Sequence, residues 1–449
     1  MDMLLMIRLL RAVEGLHQHD RWSRPHLLVQ QEDALARQRA YAYARSPFYQ
    51  RFHKGLTARP LYELPVLTKA RLMEHFDEFA TDRSIRLAEV EAHMANLASD
   101  ARFHDRYRVN ATSGSSGQRG IFLFDPAEWI AVLASFARAH EWAGARVNLM
   151  HRMKMASVAS VAAWHLSARV GASLRSWWMP ALRLAASEPL ATIVEQLNAF
   201  QPDMLVAYAS MARVLAEEQM EGRLHIRPRM VFTSSEVLTA ETRRWAETVW
   251  GRTLFNQYAA TETGGLAAEC EHHRLHFFED QVIVEVVDAD NRPVPPGVYG
   301  EKLLVTTLFS RTQPLIRYEI SDSVRLAQQP CPCGRPYWVV DSVQGRREDT
   351  LRFRGTAGGE VAIQPNVFHQ LLDTVPASGW QVVQAPDGVT VLLSGIHDPV
   401  VEERLAVMLR NALNTQGVDA PTIRVQRVAA IPQTAAGKAP LIKAYQRDV

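Results

Sequence analysis

The chain has 449 residues, 50 basic and 48 acidic side chains and a formal net charge of +2, enough for about three folding units or for one large domain with a small one. Its 47% apolar and 22% charged residues are ordinary for a globular protein, which excludes a disordered chain, and the near-neutral balance gives no support for nucleic-acid binding. Only six of the basic residues are lysines, at positions 54, 69, 154, 302, 438 and 443, so each lysine is a rarer choice than usual.

Three cysteines cannot build a disulfide framework, and an odd count points to a reducing compartment. The apolar start, Met1 to Leu10, carries Asp2 and Arg8, lacks a small-residue cleavage site and is too short to span a bilayer. The expectation is a soluble cytoplasmic protein with neither nucleic-acid nor membrane partners. A homodimer is one assembly the sequence allows.

Residues 25–100 read as mainly helical, with Ser46-Pro47 breaking the first long helix and Thr68 capping another. From about residue 110 short apolar strands alternate with amphipathic helices: strands at 121–124, 204–207 and 230–233, helices at 127–141, 211–219 and 240–250. Such alternation predicts an α/β fold of layered sheets. A short strand is expected at 253–255. From 275 to 326, strands at 282–287 and 302–307 flank a dense turn, which predicts an antiparallel β module. The last 100 residues have strand–helix–strand character. The expected domains are 1–344, a large layered α/β unit with the β module, and 345–449, a smaller mobile α+β unit.

Four segments stand out chemically. Ala111-Thr-Ser-Gly-Ser-Ser-Gly-Gln-Arg-Gly120 is a loop dense in hydroxyls and backbone N–H donors, suited to wrapping phosphate oxygens. In Asn256-Gln-Tyr-Ala-Ala-Thr-Glu-Thr263, the hydroxyl of Thr261 beside the carboxylate of Glu262 can hold a phosphate with its Mg²⁺. Asp322, after Ile316-Arg-Tyr-Glu-Ile-Ser321, can accept from a ribose diol. Lys438 follows Thr434-Ala-Ala-Gly437 in a loop with no apolar period.

With Gly345-Arg346 between them, these runs resemble, in order and spacing, the adenylate-forming (AMP-binding) superfamily. Ser46-Pro-Phe-Tyr49, Leu64-Pro-Val-Leu-Thr-Lys69, Pro314-Leu-Ile-Arg-Tyr318 and Cys331-Pro-Cys-Gly-Arg335 resemble its phenylacetate–CoA ligase branch. The resemblance implies a two-step ligase. A carboxylic acid, aromatic or apolar, attacks the α-phosphorus of Mg·ATP, giving acyl-AMP and pyrophosphate, and the acyl group then passes to coenzyme A. The alternative is transfer to an amine, a hydroxyl or a carrier-protein thiol, or a non-catalytic homologue. By motif, Thr112, Ser113, Ser115 and Ser116 would hold ATP phosphates, and Ser235 and Glu236 would lie beside adenine. Tyr258 would stack near adenine or the acyl group, Thr261 would bind the α-phosphate and Glu262 the Mg²⁺. Asp322 would bind the ribose and Arg346 the ribose or a phosphate. Lys438 would bridge the carboxylate and the α-phosphate, a role that suits a mobile point charge.

The chain departs from the family pattern at Gln118-Arg119, where Lys-Pro is usual, and at Glu319, where a basic residue is common. Glu348 replaces the usual hinge aspartate, and Arg354-Gly-Thr-Ala-Gly-Gly-Glu360 replaces a tight glycine loop near the thiolation face. This last change bears on the acyl acceptor.

Cys331, Cys333 and Cys270 with one imidazole would make a closed tetrahedral Zn²⁺ site of structural type. His276 fits best as the fourth ligand, with His272 and His273 as alternatives. The acyl pocket is expected near 151–155, Trp164, Trp177-Trp178 and Ser235–Glu236, closed by Tyr258–Ala260.

Overall fold

Five short apolar runs, Met155–Ala159, Ala181–Ala185, Met204–Ala207, Met230–Thr233 and Leu254–Ala260, pair in parallel. Helices Leu166–Leu174, Leu190–Phe200, Ala209–Met220 and Ala240–Trp250 connect them, so the apolar runs are the buried strands of a layered α/β fold. The computed structural model describes residues 3–97, 101–112, 119–145, 152–174, 176, 179–346, 349–363, 365–372, 375, 377, 379–396, 400–419, 421–434 and 437–444.

The five parallel strands form one side of a nine-stranded sheet. On the other side Leu254–Ala260 pairs antiparallel with Gly264–Glu269, followed in space by Leu275–Phe277, Val339–Arg346 and Asp322–Leu326. The expected strand at 253–255 thus continues to Ala260, because the hairpin with Gly264–Glu269 supplies it with a second partner. Gly264 (φ +77°) makes the return, and a Cβ there would lie 3.0 Å from Val132.

The helix Pro126–Trp142 covers this sheet. Its start is set by a capping box: Asp125 accepts from the Ala127 and Glu128 amides, and Glu128 accepts from the Asp125 amide at 2.6 Å. Buried Glu128 also accepts from the Thr312 amide at 2.7 Å, pinning the segment before Pro314. The antiparallel module is the three-stranded sheet Val282–Val287, Lys302–Thr307 and Tyr318–Ile320. Glu319 pairs with Lys302 at 2.7 Å, which accounts for an acidic residue at that position.

Two motif segments far apart in sequence are tied together here. The Leu67 amide donates to the Arg317 carbonyl at 3.0 Å, and the Glu319 amide to the Leu67 carbonyl at 2.9 Å. Arg317, at φ +49°, holds Glu285 and the carbonyls of Tyr62 and Leu64.

The strand Val339–Arg346 stays in the sheet past residue 344. Beyond it, residues including Leu351, Phe368, Trp380, Val391, Leu409 and Ile442 bury their side chains in a separate core. This part holds the hairpin Leu351–Arg354/Glu360–Ile363, a four-stranded sheet and the helices Pro365–Leu372 and Val400–Thr415. Among the described residues no helix is long and apolar enough to cross a membrane.

Candidate active site

A cleft of about 1900 Å³ opens at the carboxyl ends of the parallel strands, where open α/β sheets place their ligands. Thr112, Ser235, Glu236, Tyr258, Thr261, Glu262, Asp322 and Lys438 all line it. Ser113, Ser115, Ser116 and the side chain of Arg346 lie outside the described residues, as do Glu348, His151, Trp177 and Trp178.

Thr112 follows the strand Arg108–Ala111 and closes the base of the glycine-rich segment. Its amide donates to the Gly120 carbonyl at 2.9 Å, and its hydroxyl accepts from the Gly120 amide at 2.8 Å. A Cβ on Gly120 would fall 2.8 Å from the Phe122 ring, which would have to shift to admit it. Arg119 lies with its guanidinium 4.8 Å from the centre of the Trp164 ring.

Ser235 stands at φ +67°, a region sparsely used by residues with a side chain. That bend follows the strand Met230–Thr233 and presents Glu236 to two amides. Glu236 accepts from Ser210 at 2.9 Å, at the N-terminus of the helix Ala209–Met220, and from Ala439 at 2.8 Å. Burial raises the Glu236 pKa, while the two amide donors and the Lys438 charge oppose that rise.

The Lys438 loop is a tight turn docked into the cleft. The Thr434 amide donates to the Lys438 carbonyl at 2.7 Å, and the Lys438 amide donates to the Thr434 hydroxyl at 3.2 Å. Gly437 has φ +76°, and a Cβ there would lie 2.6 Å from the Ala186 Cβ. Both conformation and close approach therefore demand glycine. The Lys438 ammonium sits 5.6 Å from the centre of the Tyr208 ring. His165 is close enough to feel it: burial first, then the Lys438 charge, lowers its pKa to about 4.

Tyr258 donates to the Asp322 carboxylate at 2.5 Å, and Tyr318 to Glu262 at 3.3 Å. Asp322 pairs across the sheet with Arg346. Asp322 and Glu262 are thus each held by a phenol. Tyr258 lines the cleft and its hydroxyl orients Asp322.

The expected acyl-pocket residues Met155, Trp164, Ser235, Glu236 and Tyr258–Ala260 line the cleft. So do Phe136, His140, Ser157, Val206, Asn256 and His165, which sequence reasoning missed. A single histidine or serine on an otherwise apolar element carries no pattern.

A second cluster lies outside the cleft. Donor atoms of Cys270, His276, Cys331 and Cys333 all fall within 4.8 Å of one another. The Cys270 and Cys331 sulfurs are 3.7 Å apart, and Cys333 Sγ is 3.4 Å from His276 Nε2. Tetrahedral bonds of about 2.3 Å to sulfur and about 2.0 Å to nitrogen set such neighbours roughly 3.5–3.8 Å apart, so the donor set fits a zinc ion. His276 Nδ1 faces the Tyr337 carbonyl at 3.4 Å, which turns Nε2 toward the thiols. His272 and His273 are not in the cluster. His273 stacks on Phe255 with centroids 4.6 Å apart, and the His272 amide approaches Cys270 Sγ at 3.4 Å.

Residues 64–307 match the model of the family described as AMP-binding enzyme. The chain belongs to the AMP-binding enzyme family. The chain is 27% identical over 391 residues to a phenylacetate-coenzyme A ligase of Thermus thermophilus, covering 81% of this chain and 80% of the relative. It is 24% identical over 313 residues to Protein CapK of Staphylococcus aureus, covering 67% and 62%. The fold is similar to a crystal structure of 2-hydroxyisobutyryl-CoA ligase in the postadenylation state. That match has a TM-score of 0.70 and 20% identity over 92% of this chain and 88% of the other.

Proposed function

We propose that this AMP-binding enzyme joins a carboxylic acid to the thiol of coenzyme A, through an acyl-adenylate formed from Mg·ATP with release of pyrophosphate. The observation that carries the reading is the convergence, on one cleft, of a glycine-rich loop base, a Thr-Glu pair, a ribose-type carboxylate and a docked lysine.

In this reading Thr112 and the segment after it receive the ATP phosphates. Ser235 and Glu236 border adenine, with Glu236 also latching the Lys438 loop. Thr261 approaches the α-phosphate, and Glu262, held by Tyr318, faces the Mg²⁺ that arrives with ATP. Asp322, oriented by Tyr258, accepts from the ribose hydroxyls, and Arg346 serves the ribose or a phosphate. Lys438 spans the substrate carboxylate and the α-phosphate, where negative charge grows as the new bond forms. We assign residues 1–344 to nucleotide and acid binding, and 345–449 to a mobile unit that brings Lys438 in for adenylation and withdraws it for acyl transfer.

Zinc held by Cys270, His276, Cys331 and Cys333 would act structurally, since four protein ligands leave no open position. It would staple the Gly264–Phe277 hairpin to the segment before Val339. In this reading the protein works in the cytoplasm, where three free thiols would stay reduced.

Pyrophosphate release with a panel of carboxylic acids, with and without coenzyme A, and mass detection of the thioester test the reading. Release with at least one acid and a coenzyme A thioester are expected. Adenylate without thioester, and acyl transfer to an amine or carrier protein instead, would reassign the acceptor.

A further inference from the structure

The cleft continues away from Lys438 along one face of the parallel sheet. Ser157, Val206, Phe232 and Phe255 are register partners across four neighbouring strands and so share a face. Met155, Met204 and Met230 form the next row inward. Ala159, at the end of its strand, adjoins Ala186, on which the Gly437 turn packs. Successive rows on one face are about 7 Å apart, the span of a substituted benzene ring. The reacting end of the cleft is therefore one ring-length from the Ser157 row.

That remote end is mainly apolar, with Phe136, Met155 and Val206 among its lining. Into it the helix Pro126–Trp142 places His140, one turn after Phe136. His140 is 7% exposed, and its ring packs against Phe232 with centroids 4.6 Å apart. Among the described residues its imidazole has no hydrogen-bond partner. A buried polar group without a partner, on the wall of a ligand cavity, is satisfied when the ligand brings one. Burial also lowers its pKa to about 4, so at neutral pH it offers one N–H donor and one nitrogen acceptor, and no charge for a second carboxylate.

We propose that His140 is the specificity determinant of the acyl pocket, and that the acid activated here carries one uncharged hydrogen-bonding group, such as a hydroxyl, about a ring-length from its carboxyl. The proposal rests on the adenylation reading given above. A site built to bond a hydroxyl discriminates strongly against the analogue lacking it, because its own polar group is then left unpaired.

The test uses matched acid pairs differing only by that hydroxyl, for example phenylacetate and 4-hydroxyphenylacetate, or 3-phenylpropanoate and its 4-hydroxyphenyl counterpart. Pyrophosphate release is measured on the wild type, His140→Phe and His140→Gln. The wild type is expected to favour the hydroxylated member of at least one pair by about tenfold or more in kcat/KM. His140→Phe should erase or reverse the ratio, and His140→Gln should retain part of it. Equal rates within every pair, or a ratio unchanged in His140→Phe, overturn the proposal. If the wild type releases pyrophosphate with no acid, the adenylation reading fails on its own. The same pairs are then titrated by thermal stabilisation, where equal shifts within each pair overturn the His140 assignment.

Discussion

The Glu236 carboxylate receives the Ala439 amide at 2.8 Å, joining a bend after a central strand to a loop 203 residues further along the chain. The contact holds Lys438 at the cleft. Glu236→Ala should therefore undock the loop. The expected outcome is a fall in adenylate formation of about tenfold or more, with acyl transfer from supplied adenylate changed much less. Single-turnover assays of the two half-reactions check this. Equal loss in both would show that Glu236 serves the nucleotide and not the latch.

Lys438→Ala should lower adenylation by two or more orders of magnitude while ATP still binds. In the proposed reading its ammonium is the charge set against the developing transition state. Pyrophosphate release with an active acid, beside a direct ATP titration, measures both. Lys438→Arg should recover little, since a broad planar fork does not reproduce a compact ammonium.

Protein purified without a histidine tag should carry close to one zinc per chain. Cys331→Ser or Cys270→Ser should lose it and melt lower by about 5 °C or more. Elemental analysis and a thermal scan are sufficient. The fall should appear in folding, with kcat changed less than stability, because the cluster lies outside the cleft. Wild-type protein with less than about a tenth of an equivalent of any metal would reject the site.

Acid should destabilise the fold between pH 6.5 and about 4. Burial lowers the pKa of His53, His140 and His165 from 6.5 to about 4, with Arg39 adding to it for His53 and Lys438 for His165. Within that window the unfolded chain binds these protons and the folded chain does not, so stability falls as pH falls. Above pH 6.5 all three are neutral in both states and the contribution is flat. For one fully buried histidine the loss is on the order of 2–3 kcal/mol. Urea melts at pH 7 and pH 5 should show a smaller drop for His140→Phe than for the wild type.

Much of this was legible in the residues. The Asp125-Pro-Ala-Glu128 start of the long helix is a local signal, and the structure realises it as a capping box. The short apolar runs at 204–207 and 230–233 are parallel strands of the layered α/β fold that their alternation with helices predicted. The cleft residues were found because their motifs are contiguous. What escaped depends on distant partners. The extension of one strand to Ala260 needs Gly264–Glu269 beside it. The bidentate pair of fully buried Arg138 with Asp280 spans 142 residues, and no local pattern announces it. His140 and His165 are lone residues whose meaning arises only when a sheet face and a helix enclose them. The fourth position of the cysteine cluster was open among three histidines until the register of Leu275–Phe277 with Val339 and Val340 aimed His276 at the thiols.

The strand Val339–Arg346 begins beside His276 and ends beside Asp322. One rigid bar thus runs from the thiol cluster to the last residues before the separate C-terminal core, with Gly345 at φ +34° near its far end. The mobile unit proposed above would pivot against this bar, and zinc held by Cys270, His276, Cys331 and Cys333 would clamp it at its root. Loosening the cluster would therefore free the root of this bar first, so a lesion at the cysteines should lower the melting temperature before any slack reaches Asp322 at its far end.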